Sequence, residues 1–157
     1  MNILNRFSFT DSFSKLALLL LFLLFHLFSY GDKLNVRNSS KFSLESISLV
    51  QNSINVNRSS ETLFFSLKAY SQYGLNRVTI YFISPSGNVI LNTSCINRKK
   101  SQTAFLLGRM LFKKKSENGE WKIEKIIIQD SEGNQQSFDN TFLIQNNFAH
   151  SFFITGN

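Results

Sequence analysis

The residues best suited by type to do chemistry are Asp130, Glu132, Asn134 and Asp139, close together near the C-terminus. Alternating oxygen ligands along a loop are how proteins hold calcium, so calcium is the one cofactor these residues suggest. The spacing departs from an EF-hand, with Gln135 where its glycine belongs and Thr141 where its glutamate belongs. Asp130-Ser131-Glu132-Gly133-Asn134 also reads as a hairpin turn, Gly133 taking the positive-φ position. The turn is the leading expectation and the calcium site the alternative.

Nucleophilic chemistry has few candidates. Beyond the first thirty residues there is one histidine, His150, and the chain's single cysteine is Cys95. A Ser-His-Asp or Cys-His system needs nucleophile and base brought together in space. His150 is expected within a final strand over Phe148–Ile154, and Cys95 as a small buried or half-buried side chain. Zinc needs about four nitrogen or sulfur ligands, and this chain cannot assemble them. No catalytic residue is assigned. A polysaccharide-active enzyme would need paired carboxylates in a cleft, and the clustered acids here sit at a hairpin tip.

Charge gives a second candidate. With 17 Lys+Arg against 10 Asp+Glu, the net charge is +7. The cations cluster as Arg98-Lys99-Lys100 and Lys113-Lys114-Lys115. Both runs fall in expected loops flanking Thr103–Phe112, which as a strand would hold them ~30 Å apart. They are read as solvated loop charge, with contact to an anionic polysaccharide, lipid or envelope surface as the alternative. The partner is otherwise an unknown protein. Nucleic acid is not expected, because no binding motif is present.

The elements that must carry these residues begin after a distinct N-terminal stretch. Leu16–Phe28 is a thirteen-residue apolar run broken only by His26, preceded by Arg6 and Lys15 and followed by Ser29-Tyr30-Gly31. That is short for a spanning helix, which takes roughly 18 apolar residues, and suits a signal-peptide core of ~7–15. The expectation is a cleaved signal over residues 1–31, touching the membrane transiently during export, with an uncleaved anchor as the alternative. No cysteine directly follows the run, so a lipid anchor is not expected. Cleavage after Gly31 would leave 126 residues at +6, a polar tether over 32–42 and one domain over 43–157. With one cysteine that domain can form no internal disulfide.

From Phe42 onward the pattern has period two. Leu63, Phe65, Leu67 and Ala69 share one face, and Val78, Ile80 and Phe82 share another. Ser84-Pro85-Ser86-Gly87-Asn88 is turn chemistry, Val89–Thr93 a short return strand, and Asn97–Gln102 a loop. Thr103–Phe112 has helical propensity but alternates at Leu106, Gly108, Met110 and Phe112, and is assigned as a strand. Gln135–Phe138 is a short strand and Asn140–Asn147 an irregular crossover. Lys113–Glu120 and Asp130–Asn134 are polar loops, and in the strand headed by Trp121 between them, Trp121 and Ile123 share a parity that Ile126 and Ile128 do not. Burying all four requires a β-bulge near Glu124-Lys125. Asn38, Asn57 and Asn92 match glycosylation acceptors, which matters only in a eukaryotic host.

Leu106-x-Gly108-x-Met110-x-Phe112, then Gly119-x-Trp121-x-Ile123-x-x-Ile126-x-Ile128-x-Asp130-x-x-Gly133-Asn134, resembles an immunoglobulin-like repeat of bacterial secreted and cell-surface proteins. Phe148–Gly156 is similar to the phenylalanine-containing strand that ends such repeats, and Ser84-Pro85-Ser86-Gly87 to their S-P-x-G turn. The resemblance spans roughly residues 43–156. It implies an all-β fold, an immunoglobulin-like antiparallel β-sandwich of about seven to nine strands, preceded here by the hydrophobic signal helix. It also implies a location outside the cytoplasm and a role as a spacer or adhesion module. Such repeats often carry an acid in the loop before the S-P-x-G strand. Tyr70-Ser71-Gln72-Tyr73-Gly74 has none. The functional expectation is a non-catalytic, secreted or surface-exposed binding or structural module, with a membrane-anchored envelope subunit as the alternative.

Overall fold

The computed structural model describes residues 41–156. The expected signal or anchor, all of the tether up to residue 40, and Asn38 lie outside the described residues. Nine strands and one short helix follow in order: β1 (Phe42–Leu49), β2 (Ser53–Asn55), β3 (Glu61–Ser71), β4 (Leu75–Ile83), β5 (Ile90–Ile96), β6 (Thr103–Phe112), β7 (Gly119–Asp130), β8 (Gln135–Asp139), α1 (Asn140–Gln145) and β9 (Ser151–Thr155). Strands β1-β3-β6 form one sheet, and β2-β9-β7-β4-β5 form the other, with β8 also paired to β7. The pairs are antiparallel except β2 with β9, which run parallel. The fold is all-β.

Parity fixes which side chains go inward. On β3, Leu63, Phe65, Leu67 and Ala69 are buried, and on β4 so are Val78, Ile80 and Phe82. The sheets meet through aromatic rings. Phe65 of β3 lies 6.4 Å from Phe82 of β4, and Phe112 of β6 lies edge-on to Trp121 of β7 at 5.1 Å. Edge-to-face contacts of this kind stabilise by ~0.5–1.5 kcal/mol beyond area burial. The Trp121 indole N–H donates to Glu117 O at 2.8 Å, so its polar atom is satisfied. Among the described residues the buried apolar side chains from Phe42 to Ile154 form one cluster between the two sheets.

Strand β7 contains the expected bulge. Against β4, Lys125 pairs with Tyr81 and Ile123 with Phe82, leaving Glu124 as the extra residue. Trp121, Ile123, Ile126 and Ile128 are consequently all buried. A second irregularity falls at Glu45 in β1.

Several boundaries differ from the sequence reading, β7 beginning at Gly119 within the expected loop Lys113–Glu120 and β9 at Ser151 instead of Phe148. Phe42, placed at the end of the tether, begins β1 and is buried, because its register opposite Ser71 points it into the core. The return strand runs to Ile96 instead of Thr93, since β4 remains available for pairing as far as Arg77. Within the expected crossover, Asn140–Gln145 is a helix, capped by Asp139, whose Oδ1 accepts from Phe142 N at 2.8 Å. Leu143 anchors that helix in the core.

Candidate functional site

The Asp130 turn is the most highly organised polar feature. Asp130 ends β7 and is fully buried. Its Oδ1 accepts from Glu132 N at 2.9 Å and Asn134 N at 2.8 Å, and its Oδ2 from Asn134 Nδ2 at 2.9 Å. Gly133 adopts φ of 91°, and its N–H donates to Asp130 O. A buried carboxylate must have its charge answered, and here three N–H groups of its own turn answer it. The side chain is an internal scaffold for the hairpin.

Asp139 is elsewhere. It pairs with Lys125, five residues back along β7 from Asp130, about 17 Å at strand rise. Its carboxylate caps α1. The structure brings Asp130, Glu132 and Asn134 together and leaves Asp139 apart. Among the described residues no group of three or more His, Cys, Asp or Glu is close enough to hold a metal ion.

His150 precedes β9 and does not lie within it; its Nδ1 is 3.0 Å from Phe148 O. Cys95 lies on β5, where it is buried and free, with Sγ 3.6 Å from Leu107 O. Burial pushes its thiol above the ordinary value, which disfavours the thiolate. Strands β5 and β9 are three spacings apart in their sheet, roughly 14 Å, so thiol and imidazole do not meet.

The basic loops have the opposite character. Arg98–Lys100 joins β5 to β6, and Lys113–Lys115 follows β6, so the two runs flank the ends of that ten-residue strand. Each backbone is clamped. Asn97 is buried and its Nδ2 donates to Leu75 O at 3.0 Å and Ser101 Oγ at 3.2 Å. A Cβ on Gly74 would come within 2.4 Å of Lys100 O, so this loop packs onto the chain where only glycine fits. At the other end, Lys114 N donates to Ser60 Oγ at 3.1 Å and Lys115 N to Val56 O at 3.3 Å. All six side chains are exposed. The ion pairs among the described residues are Glu45–Lys68 and Glu120–Lys122, and neither uses the six loop cations.

The outward side of β6 was not singled out from sequence. Phe105, Leu107 and Leu111 point away from the core, with Arg109 among them. The signal was available: Thr103–Phe112 is apolar at both parities, the pattern of a strand that can be covered on two faces.

No family model matches the sequence, and no curated protein does. Twelve chains among the solved structures match. One is Cwp6 from Clostridium difficile, with a TM-score of 0.47 and 14% identity, covering 74% of this chain and 17% of that one. The chain thus spans about a sixth of the length of that structure. At that score the likeness carries no argument about function.

Proposed function

We propose that the chain is a non-catalytic, surface-exposed binding or structural module with an immunoglobulin-like β-sandwich, exported through Leu16–Phe28. The observation that carries this reading is the division of charge. The acids that could do chemistry are absorbed by the fold at Asp130 and Asp139, while six loop cations stand exposed on clamped backbones. An envelope or other anionic surface is the partner such loops suit.

Strand order supports the immunoglobulin-like assignment. In the lettering of that fold, β1-β3-β6 follows the A-B-E order and β9-β7-β4 the G-F-C order, with β2 pairing beside β9. An adhesive or spacer role follows from the resemblance in sequence.

N-terminal sequencing of the protein recovered from each cell fraction tests this. A start at Asp32 outside the cytoplasm supports a cleaved, exported module. A start at Met1 in the membrane fraction favours the anchored envelope subunit, for which the apolar run is the supporting observation. Recovery in the cytoplasm sinks both. A hydrolytic activity abolished by substituting Glu132 or Asp139, with the fold intact, would overturn the non-catalytic reading.

A further inference from the structure

The outward face of the three-stranded sheet carries a pattern that the fold does not use. On β6, Phe105, Leu107 and Leu111 are 64%, 75% and 57% exposed. Pairing sets Phe64 beside Arg109, Ser66 beside Leu107 and Lys68 beside Phe105. The apolar stripe therefore widens onto β3 at exposed Phe64, and onto Val50 just past β1, whose N–H donates to Phe64 O. Cations frame the stripe. Arg109 lies within it, and the loops Arg98–Lys100 and Lys113–Lys115 close its two ends. The acid on β1 beside this face, Glu45, is already paired with Lys68 at 2.7 Å.

Soluble domains seldom expose contiguous apolar surface of this kind unless something covers it. The charge decides what. Because both ends of β6 are basic, two copies packed face to face would set basic loop against basic loop in either orientation, which like-charge repulsion disfavours. A polyanionic polysaccharide would answer the cations but offers no apolar layer for Phe105 and Leu107. An anionic bilayer offers both, with phosphates for the cations and an interfacial zone for aromatic and aliphatic side chains. A strand is straight enough for both its ends to reach one plane.

We propose that the outward face of β6 and β3 docks on an anionic lipid bilayer. Phe105, Leu107 and Leu111 enter the interface, and Arg109 and the six loop cations meet headgroup phosphates. The proposal rests on the reading of the chain as a module exported to an envelope surface.

The test uses the mature protein recovered from outside the cytoplasm, with vesicles of phosphatidylcholine alone or with phosphatidylglycerol added. Co-sedimentation is expected only with the anionic vesicles and should fall as salt rises. Phe105→Ser with Leu107→Ser, and separately Lys99→Ser with Lys100→Ser and Lys114→Ser, should each weaken it on the order of a hundredfold. Both variants should keep the parent melting temperature, which separates lost docking from lost fold. Full binding by the Phe105→Ser, Leu107→Ser variant would overturn the proposal by showing adsorption through charge only. So would tighter binding to soluble dextran sulfate than to vesicles, or a dimer abolished by the Phe105→Ser, Leu107→Ser change. Recovery of the chain in the cytoplasm would instead defeat the underlying reading, whatever the vesicles show.

Discussion

The Asp130 turn and the loops at the ends of β6 are both rich in charged residues, and they use charge in opposite ways. At Asp130 the side chain is buried and both its oxygens accept hydrogen bonds from the turn it organises. In Arg98–Lys100 and Lys113–Lys115 the backbone is tied down by Asn97, Ser60 and Val56, while the side chains point into solvent. A charge consumed by its own fold is a structural part. One held out on a fixed backbone is available to a partner.

The comparison can be broken at several points. The largest effect is expected at Asp130→Ala, which leaves three N–H groups without their acceptor. Unfolding stability should fall by about 3 kcal/mol in urea titration. Asp130→Asn keeps an acceptor for the two backbone groups and should lose about half as much. Millimolar calcium or EDTA should leave the melting temperature of the parent unchanged, since a ligand bound only to the native state would shift it. Next comes Asn97→Ala, which removes the clamp beneath Arg98–Lys100. A loss of about 2 kcal/mol is expected, because the buried Leu75 carbonyl loses its side-chain donor. That result would show the loop frame to be structural even though its cations are not. Asp139→Ala removes only the cap of a short helix and should cost about 1 kcal/mol.

A further prediction concerns pH. Glu117 accepts from Ser86 N at 2.7 Å and Ser86 Oγ at 2.8 Å, tying the loop after β6 to the β4–β5 turn. The Ser86 hydroxyl bond holds its carboxyl below the ordinary value of 4.5. Because the folded value is the lower one, this contribution is present above pH 4.5 and is lost as pH falls through the folded value. Glu117→Gln should therefore lower the melting temperature slightly in the neutral region and converge with the parent at acid pH, so that the acid limb of the profile flattens. An unaltered acid limb would remove Glu117 from the account.

How much of this was legible in the sequence varies by element. The bulge at Glu124 was, because two pairs of large apolar residues on opposite parities in one strand cannot otherwise share a core. The Asp130 turn was also legible, since Asp-x-x-Gly-Asn carries both the acceptor and the positive-φ residue. Helix α1 was not. It has six residues, and Phe142 stands where a capping box would place Glu or Gln, so Asp139 is its sole local signal. The far end of β5, Ser94–Ile96, lies beyond the strand read from sequence and is a strand because β4 is beside it. The separation of Asp139 from Asp130 depends on the length of β8, which no spacing rule reports. The outward stripe on β6 was visible as two-sided apolarity, but its exposure became evident only once no described element was found to cover that face of the sheet.

The most direct test replaces Arg98, Lys99, Lys100, Lys113, Lys114 and Lys115 together with serine and measures the unfolding free energy of the mature protein by urea titration. If these cations are held out for a partner, the unfolding free energy stays within about 0.5 kcal/mol of the parent. A fall as large as that of Asp130→Ala would contradict the account, because it would place these charges, like that carboxylate, among the groups that hold the fold together.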